Sequence, residues 1–181
     1  AHDFCDVIVV GSGPSGVAAA IEAAEKKLDV ILVEQDSLVG GNQLSENDFS
    51  TSKIFNQLKS LGVKIMTRTT AFGLYDNCVV GLLERVTDHL SVPDSTLPRQ
   101  RFWTIRAKHI IVGSGALERH IAFNNNDLPG VMTVNASKHY LNRYGVLTGE
   151  DIVIATNNDS VYETASELSE AGASVTVLDS R

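Results

Sequence analysis

The residues with the clearest chemistry stand near the start: Gly11-Ser12-Gly13-Pro14-Ser15-Gly16. Three glycines at this spacing make a loop that a phosphate can approach closely. Gly11 permits a tight turn out of a strand, Gly13 brings no Cβ between backbone and pyrophosphate, and Gly16 lets a helix pack against that strand. Pro14 and Ser15 complete the loop at the helix start, whose N–H groups and dipole favour an anion. Glu34 lies 18 residues after Gly16, at the end of the next apolar run. A carboxylate there accepts ribose hydroxyls and repels a 2′-phosphate, which favours NAD or FAD over NADP. Gly40-Gly41 and Ser114-Gly115, the latter at the end of another apolar strand, are expected to line the same site. No catalytic residue is assigned. His2, His89, His109, His120 and His139 are dispersed without ligand spacing; only His89, beside Asp88, draws interest. Cys5 reads as a small core residue, and no Cys-x-x-Cys, nucleophile triad or metal cluster is visible. Hydride chemistry needs no protein group, because the cofactor carries it.

The elements that must position these residues follow from the apolar pattern. Residues 5–10 form a continuous apolar run, as in a parallel strand buried on both faces. A helix is expected over 17–27 with basic residues in its last turn, then a second buried strand over 29–34. Together they make a βαβ unit, whose crossover is right-handed. A helix over 52–61 with Gly62 as its cap and a strand over 63–66 extend the unit. Residues 67–75 and 78–88 read as an antiparallel pair joined at Asp76-Asn77. Residues 102–107 read as a third meander strand, and 109–113 as a separate, buried one. After an irregular stretch over 118–133, a helix is expected near 135–144. A second βαβ follows: strand 151–155, turn 156–160, helix 161–171 and strand 174–179. Its turn, Thr156-Asn157-Asn158-Asp159-Ser160, has no glycine. Asp159 or Ser160 would cap the helix there, and a carboxylate would compete with a phosphate. This second unit is therefore expected to keep the fold without ordinary dinucleotide binding. Asp179, at its strand end, reads as a surface residue rather than a ribose acid.

The fold class is thus α/β: a Rossmann-like FAD/NAD(P)-binding fold with a parallel sheet, a small antiparallel meander and a partial second βαβ. Residues 1–120 form the first domain, with the meander at about 67–107, and 121–181 a crossing segment and the partial second domain. Among 181 residues, 43% are hydrophobic, enough for a packed core. The net charge of −7 argues against nucleic acid or an anionic membrane surface as partner. No apolar run reaches the ~18 residues of a membrane span. With no signal-peptide pattern at the start, the expected setting is cytoplasmic. A second βαβ that stops at its second strand reads as a piece of a larger protein, and an open sheet edge would invite self-association.

Several blocks carry a more specific likeness. Thr69-Thr70-Ala71-Phe72-Gly73-Leu74-Tyr75-Asp76, Glu84-Arg85-Val86-Thr87-Asp88-His89-Leu90 and Asn124-Asn125-Asn126-Asp127-Leu128-Pro129-Gly130-Val131-Met132 are three of them. Tyr140-Leu141-Asn142-Arg143-Tyr144-Gly145 and the asparagine-rich turn at 156–160 are two more. The chain resembles the α subunit of heterotetrameric sarcosine oxidases over essentially its whole length. The resemblance implies an oxidoreductase acting on CH–NH groups, which demethylates sarcosine to glycine and forms hydrogen peroxide. It implies FAD in the β subunit, FMN at the α–β boundary, tetrahydrofolate as one-carbon acceptor and NAD in the α subunit. By position, Gly11, Gly13, Ser15, Gly16 and Glu34 would hold that NAD, with FAD the alternative. The implied partners are the other subunits of a heteromeric amine oxidase complex, and the chain alone is expected to be inactive. Other readings are a subunit of a related FAD/NADH-dependent amine or proline dehydrogenase, a self-contained flavin reductase, and a non-catalytic, nucleotide-stabilised assembly module.

Overall fold

A computed structural model describes residues 1–47 and 49–181. They form two compact units: residues 1–44 with 49–115, and residues 45–47 with 116–181.

In the first unit, β1 (His2–Val10) leads into α1 (Pro14–Glu25) and β2 (Val30–Val33). The helix starts earlier and stops earlier than its sequence suggests. Pro14 supplies a pre-set φ at its first position. Lys26 is its C-cap and no basic residue lies in its last turn. Lys27 instead takes a positive φ of 61°, which ends the helix. Gly16, Val17, Ala20, Ala23 and Ala24 make its buried face, and their small size lets the helix lie close to the sheet. All four residues of β2 are buried, as a strand covered on both faces requires. A 3₁₀ turn (Gly41–Ser45) precedes α2 (Thr51–Ser60). The Ser50 hydroxyl caps α2 by accepting from the Lys53 amide. Then come β3 (Lys64–Met66), β4 (Thr69–Tyr75), β5 (Val79–Arg85) and β6 (Gln100–Val112).

The six strands run in the order β3-β2-β1-β6-β5-β4. β1, β2, β3 and the far half of β6 are parallel, whereas β4, β5 and the near half of β6 form the antiparallel meander. The two strands expected at 102–107 and 109–113 are one. β6 pairs with β5 from Gln100 to Arg106 and with β1 from Thr104 to Val112. A change of pattern along the sequence marks a change of partner, not a break in the chain. The far end is less buried than its apolar residues suggest, with Ile111 at 37% and Val112 at 58% exposure. The expected two-residue turn at Asp76-Asn77 is a three-residue 3₁₀ turn, Asp76–Cys78, in which Asn77 and Cys78 both take positive φ. One core, which includes Cys5, Ile8, Ile31, Leu82 and Ile105, joins the parallel strands to the meander. The other, including Val9, Ala20, Leu32 and Leu58, lies under the helices. Trp103 on β6 donates its indole N–H to Glu84 Oε2 at 2.7 Å, and the Lys64 ammonium sits 4.9 Å from its ring centre.

In the second unit, residues 116–133 contain no helix or strand. α3 (Val134–Tyr144) opens with Thr133 as N-cap and closes on Gly145, whose φ of 67° suits a left-handed C-cap. β7 (Asp151–Thr156), a 3₁₀ turn (Asp159–Val161), α4 (Tyr162–Glu170) and β8 (Ser174–Asp179) complete a βαβ with parallel strands. Its core is Ile154, Val161, Ala165, Leu168 and Ala173. Lys138 is 7% exposed and donates to Glu46 and Glu163 at 3.0 and 3.3 Å, with Glu167 at 3.9 Å. An ammonium buried this far needs such partners. No helix among the described residues is long and apolar enough to cross a membrane.

Candidate dinucleotide site

The three glycines of the first turn divide by what surrounds them. Gly11 has φ +98°, and a Cβ there would lie 2.3 Å from the Gly113 carbonyl oxygen. A Cβ on Gly16 would lie 1.9 Å from the Gly11 carbonyl oxygen. Neither position can carry a side chain, so both glycines are demanded by the turn itself. Gly13 differs: its φ of −67° and ψ of −179° suit any residue, and a Cβ would meet nothing within 4 Å. The protein alone does not require glycine at this position; the space in front of it is open.

Gly13 is the N-cap of α1, and no side chain caps the helix. Pro14 has no N–H, and the Val17 amide already donates to Gly13 at 2.9 Å. The first turn therefore presents a positive helix end without a capping oxygen, a setting that suits a phosphate. Pro14 and Ser15 are exposed beside it.

Glu34 stands one residue past β2 and is 7% exposed. Its backbone is pinned on both sides, its N–H donating to Met66 O and its carbonyl accepting from the Thr69 amide, both at 2.8 Å. Its carboxylate is pinned too. Ser12 donates twice to Oε2, from its amide at 2.9 Å and its hydroxyl at 2.6 Å. The Asp36 amide donates to Oε1 at 2.8 Å. Ser12 has no exposed surface, and it also accepts from the Gly40 amide through both its carbonyl (3.0 Å) and its hydroxyl oxygen (3.1 Å). Gly41, with φ +56°, lies so close to the turn that a Cβ would come within 2.9 Å of Gly13 Cα. Ser114 borders Gly11, its Cα 3.1 Å from where a Gly11 Cβ would sit, and Gly115 follows with open space on its Cβ side. The fold thus gathers Gly11, Gly13, Gly16, Glu34, Gly40, Gly41 and Ser114 around one strand end. Ser12 is the residue that the sequence pattern leaves out. Its signal is a hydroxyl between Gly11 and Gly13, one strand away from a terminal carboxylate.

The turn of the second βαβ is built from its own side chains. The Asn158 Oδ1 accepts from the Ser160 amide at 3.0 Å and the Ser160 hydroxyl at 2.6 Å. Asn158, not Asp159 or Ser160, therefore caps the 3₁₀ turn that leads into α4, because its extended backbone aims the side chain at that turn; Val161, the N-cap of α4 itself, makes no side-chain cap bond. Thr156 Oγ1 donates to the Asn158 carbonyl and accepts from its amide. Asp179 accepts from the Tyr162 hydroxyl and from Arg181, which also reaches Asp159. The Arg181 guanidinium, followed by the Tyr162 hydroxyl, holds the Asp179 carboxyl well below the usual carboxylate range.

Several other polar and titratable groups among the described residues make contacts within the fold. The Asp88 carboxylate beside His89 is taken by Gln100 and Arg99. Burial pushes the Cys5 thiol up to about 12, as suits a core residue. Glu46, Glu163 and Glu167 have carboxylate oxygens within 4.8 Å of one another, and the Lys138 ammonium already neutralises part of that cluster.

The sequence profile of the "FAD dependent oxidoreductase" family matches residues 6–138. The chain is 44% identical to the sarcosine oxidase subunit alpha of Rhizobium meliloti (strain 1021) over 98% of its length, which is 19% of that protein. It is 38% identical to the subunit of the same name from Corynebacterium sp. (strain P-1), over 99% of this chain and 20% of that one. The chain thus spans about a fifth of these relatives. Among solved structures, the L-proline dehydrogenase of P. horikoshii superposes with a TM-score of 0.77 at 23% identity, over 98% of this chain and 36% of that one. That likeness carries the fold. The matched profile takes in the whole glycine turn, Glu34 and the meander, and the chain, a homologue of sarcosine oxidase α subunits, belongs to the FAD dependent oxidoreductases.

Proposed function

We propose that this chain is the dinucleotide-binding part of the α subunit of a sarcosine oxidase-like complex, in which residues 1–120 hold the ADP half of a dinucleotide. One observation carries the reading. Gly13 is open where Gly11 and Gly16 are closed, at an uncapped helix start one strand from a fixed carboxylate. The residues fit such a ligand. The pyrophosphate would lie against Gly13 and the amides of Ser15 and Gly16, with Gly40, Gly41, Ser114 and Gly115 around it. The adenosine ribose would meet Glu34, whose charge disfavours a 2′-phosphate. NAD is the first choice and FAD the alternative, the latter favoured by the family description. The dinucleotide, when bound, supplies or stores the hydride; the chain's residues bind it and hold its ribose.

By kinship with the sarcosine oxidase subunits, the whole complex would oxidise a secondary amine such as sarcosine at its CH–NH bond. FMN, a second flavin and tetrahydrofolate would be held by parts beyond these residues, and other subunits would be partners. Residues 121–181 would form a partial second nucleotide-binding-like domain, and the chain alone would not turn over the amine. Its cytoplasmic setting is part of the same proposal.

The test is to release ligand from the purified chain by heating, identify it by mass spectrometry, and titrate ADP, NAD and FAD by calorimetry. ADP binding that falls at least about a hundredfold in Gly13→Leu is the expected result, since a buried clash with pyrophosphate costs several kcal/mol. Equal ADP affinity in wild type and Gly13→Leu would refute the assignment.

A further inference from the structure

We infer that Ser12 is the specificity-positioning residue of this site: it fixes the Glu34 carboxylate so that only one hydroxyl of an adenosine ribose can bind to it. The inference rests on the reading of the first turn as a dinucleotide site. A carboxylate offers about four lone-pair directions. Three are taken within the protein, two on Oε2 by the Ser12 amide and hydroxyl and one on Oε1 by the Asp36 amide. One acceptor direction remains, on Oε1. A vicinal diol brings two donors, so one ribose hydroxyl is accepted and the other must look elsewhere.

The proton on the Ser12 hydroxyl is not free to choose. Gly40 donates its N–H to Ser12 Oγ, so the hydroxyl hydrogen must point to Glu34. Ser12 is fully buried and Glu34 is 7% exposed. Water cannot replace this donor easily, and a buried carboxylate depends on the donors it has. The same hydroxyl ties the Gly40–Gly41 loop to the carboxylate, so the wall beside Gly13 and the ribose acid are set by one atom. Without it Glu34 keeps the two amide bonds and loses its shortest one, and its free lone pairs are no longer restricted to one direction. A phosphate on the ribose would meet a less fixed charge.

The probes are ADP, 2′-deoxy-ADP, 3′-deoxy-ADP and 2′-phospho-ADP, titrated into the full chain by calorimetry. In the wild type one deoxy analogue is expected to bind about tenfold more weakly than ADP and the other within about threefold. In Ser12→Ala the difference between the two analogues should collapse, and the penalty on 2′-phospho-ADP should shrink by about tenfold. In Glu34→Gln the Ser12→Ala change should add no further loss of selectivity, because the two act through one contact. Ser12→Thr keeps a hydroxyl and should keep the selectivity; circular dichroism melting of each variant confirms that the fold persists. If Ser12→Ala melts before binding can be read, the wild-type analogue ratio decides: equal loss with both deoxy compounds overturns the single-hydroxyl geometry. Normal ADP binding with unchanged selectivity in Ser12→Ala overturns the role of Ser12 alone. Absence of ADP binding by the wild type overturns the dinucleotide reading and this inference with it.

Discussion

The protein contains the same strand-turn-helix-strand plan twice, and the two turns solve one problem in opposite ways. At each, a parallel strand ends and a helix begins, leaving backbone N–H groups without intrahelical partners. The second turn leads into its helix through a 3₁₀ turn closed by its own side chains: Asn158 caps Ser160, Thr156 braces Asn158, and Arg181 ties Asp159 to Asp179. The first turn does not. Its cap is a glycine with no side chain, its next residue is a proline, and the Glu34 carboxylate that faces it is set back just past β2. A helix start that completes itself gains stability; one left incomplete keeps affinity for an anion. The difference teaches that the bare glycine turn of the first unit is informative, since the second shows that the same architecture accepts a lead-in closed by side chains.

The contrast can be broken most forcefully at Gly16. Gly16→Ala places a methyl group on the Gly11 carbonyl and should destabilise the first unit by about 3 kcal/mol or more, read as a large drop in its melting temperature. Gly13→Ala, three residues earlier in the same turn, should cost no more than about 1 kcal/mol, the difference between glycine and alanine at an N-cap. Equal losses at the two positions would erase the division between structural and open glycines. In the second unit, Asn158→Ala removes the cap of the 3₁₀ turn before α4 and should cost about 1 kcal/mol of that unit's stability, seen in thermal unfolding by circular dichroism. No change would mean that its turn is not self-satisfied. The smallest effect concerns Asp179. Its folded carboxyl is held below the ordinary range, chiefly by Arg181, so its contribution to stability is present at neutral pH and fades as pH falls below the usual carboxylate values. Asp179→Asn should flatten that acid slope slightly; a slope unchanged by the substitution would place the acid sensitivity elsewhere.

Much of this was legible in the residues, and the reasons it was or was not are physical. The two βαβ units stand out because buried parallel strands write continuous apolar runs, and because the glycine turn has a fixed spacing. The tight turn at Gly11 and the close contact of Gly16 with the strand were also readable. What escaped depends on partners distant in sequence. β6 looked like two strands because its alternating part faces the meander and its apolar part runs beside β1. The cap at Asn158 rather than Asp159 depends on one extended backbone angle, which composition does not reveal. Ser12 was passed over because its importance lies in Glu34 and Gly40, 22 and 28 residues away.

β6 has one more consequence, a spectroscopic one. The chain has a single tryptophan, Trp103, and it sits on this strand in the first unit, bonded to Glu84 and flanked by Lys64 and Arg101. Red-edge excitation of that indole therefore reports on the meander and β1 together, while the tyrosines of the second unit stay dark. Since β6 must find β1 across about a hundred residues of chain, its arrival is a long-range step of the kind that slows folding. The emission of one side chain would time the moment at which the sheet behind the glycine turn closes.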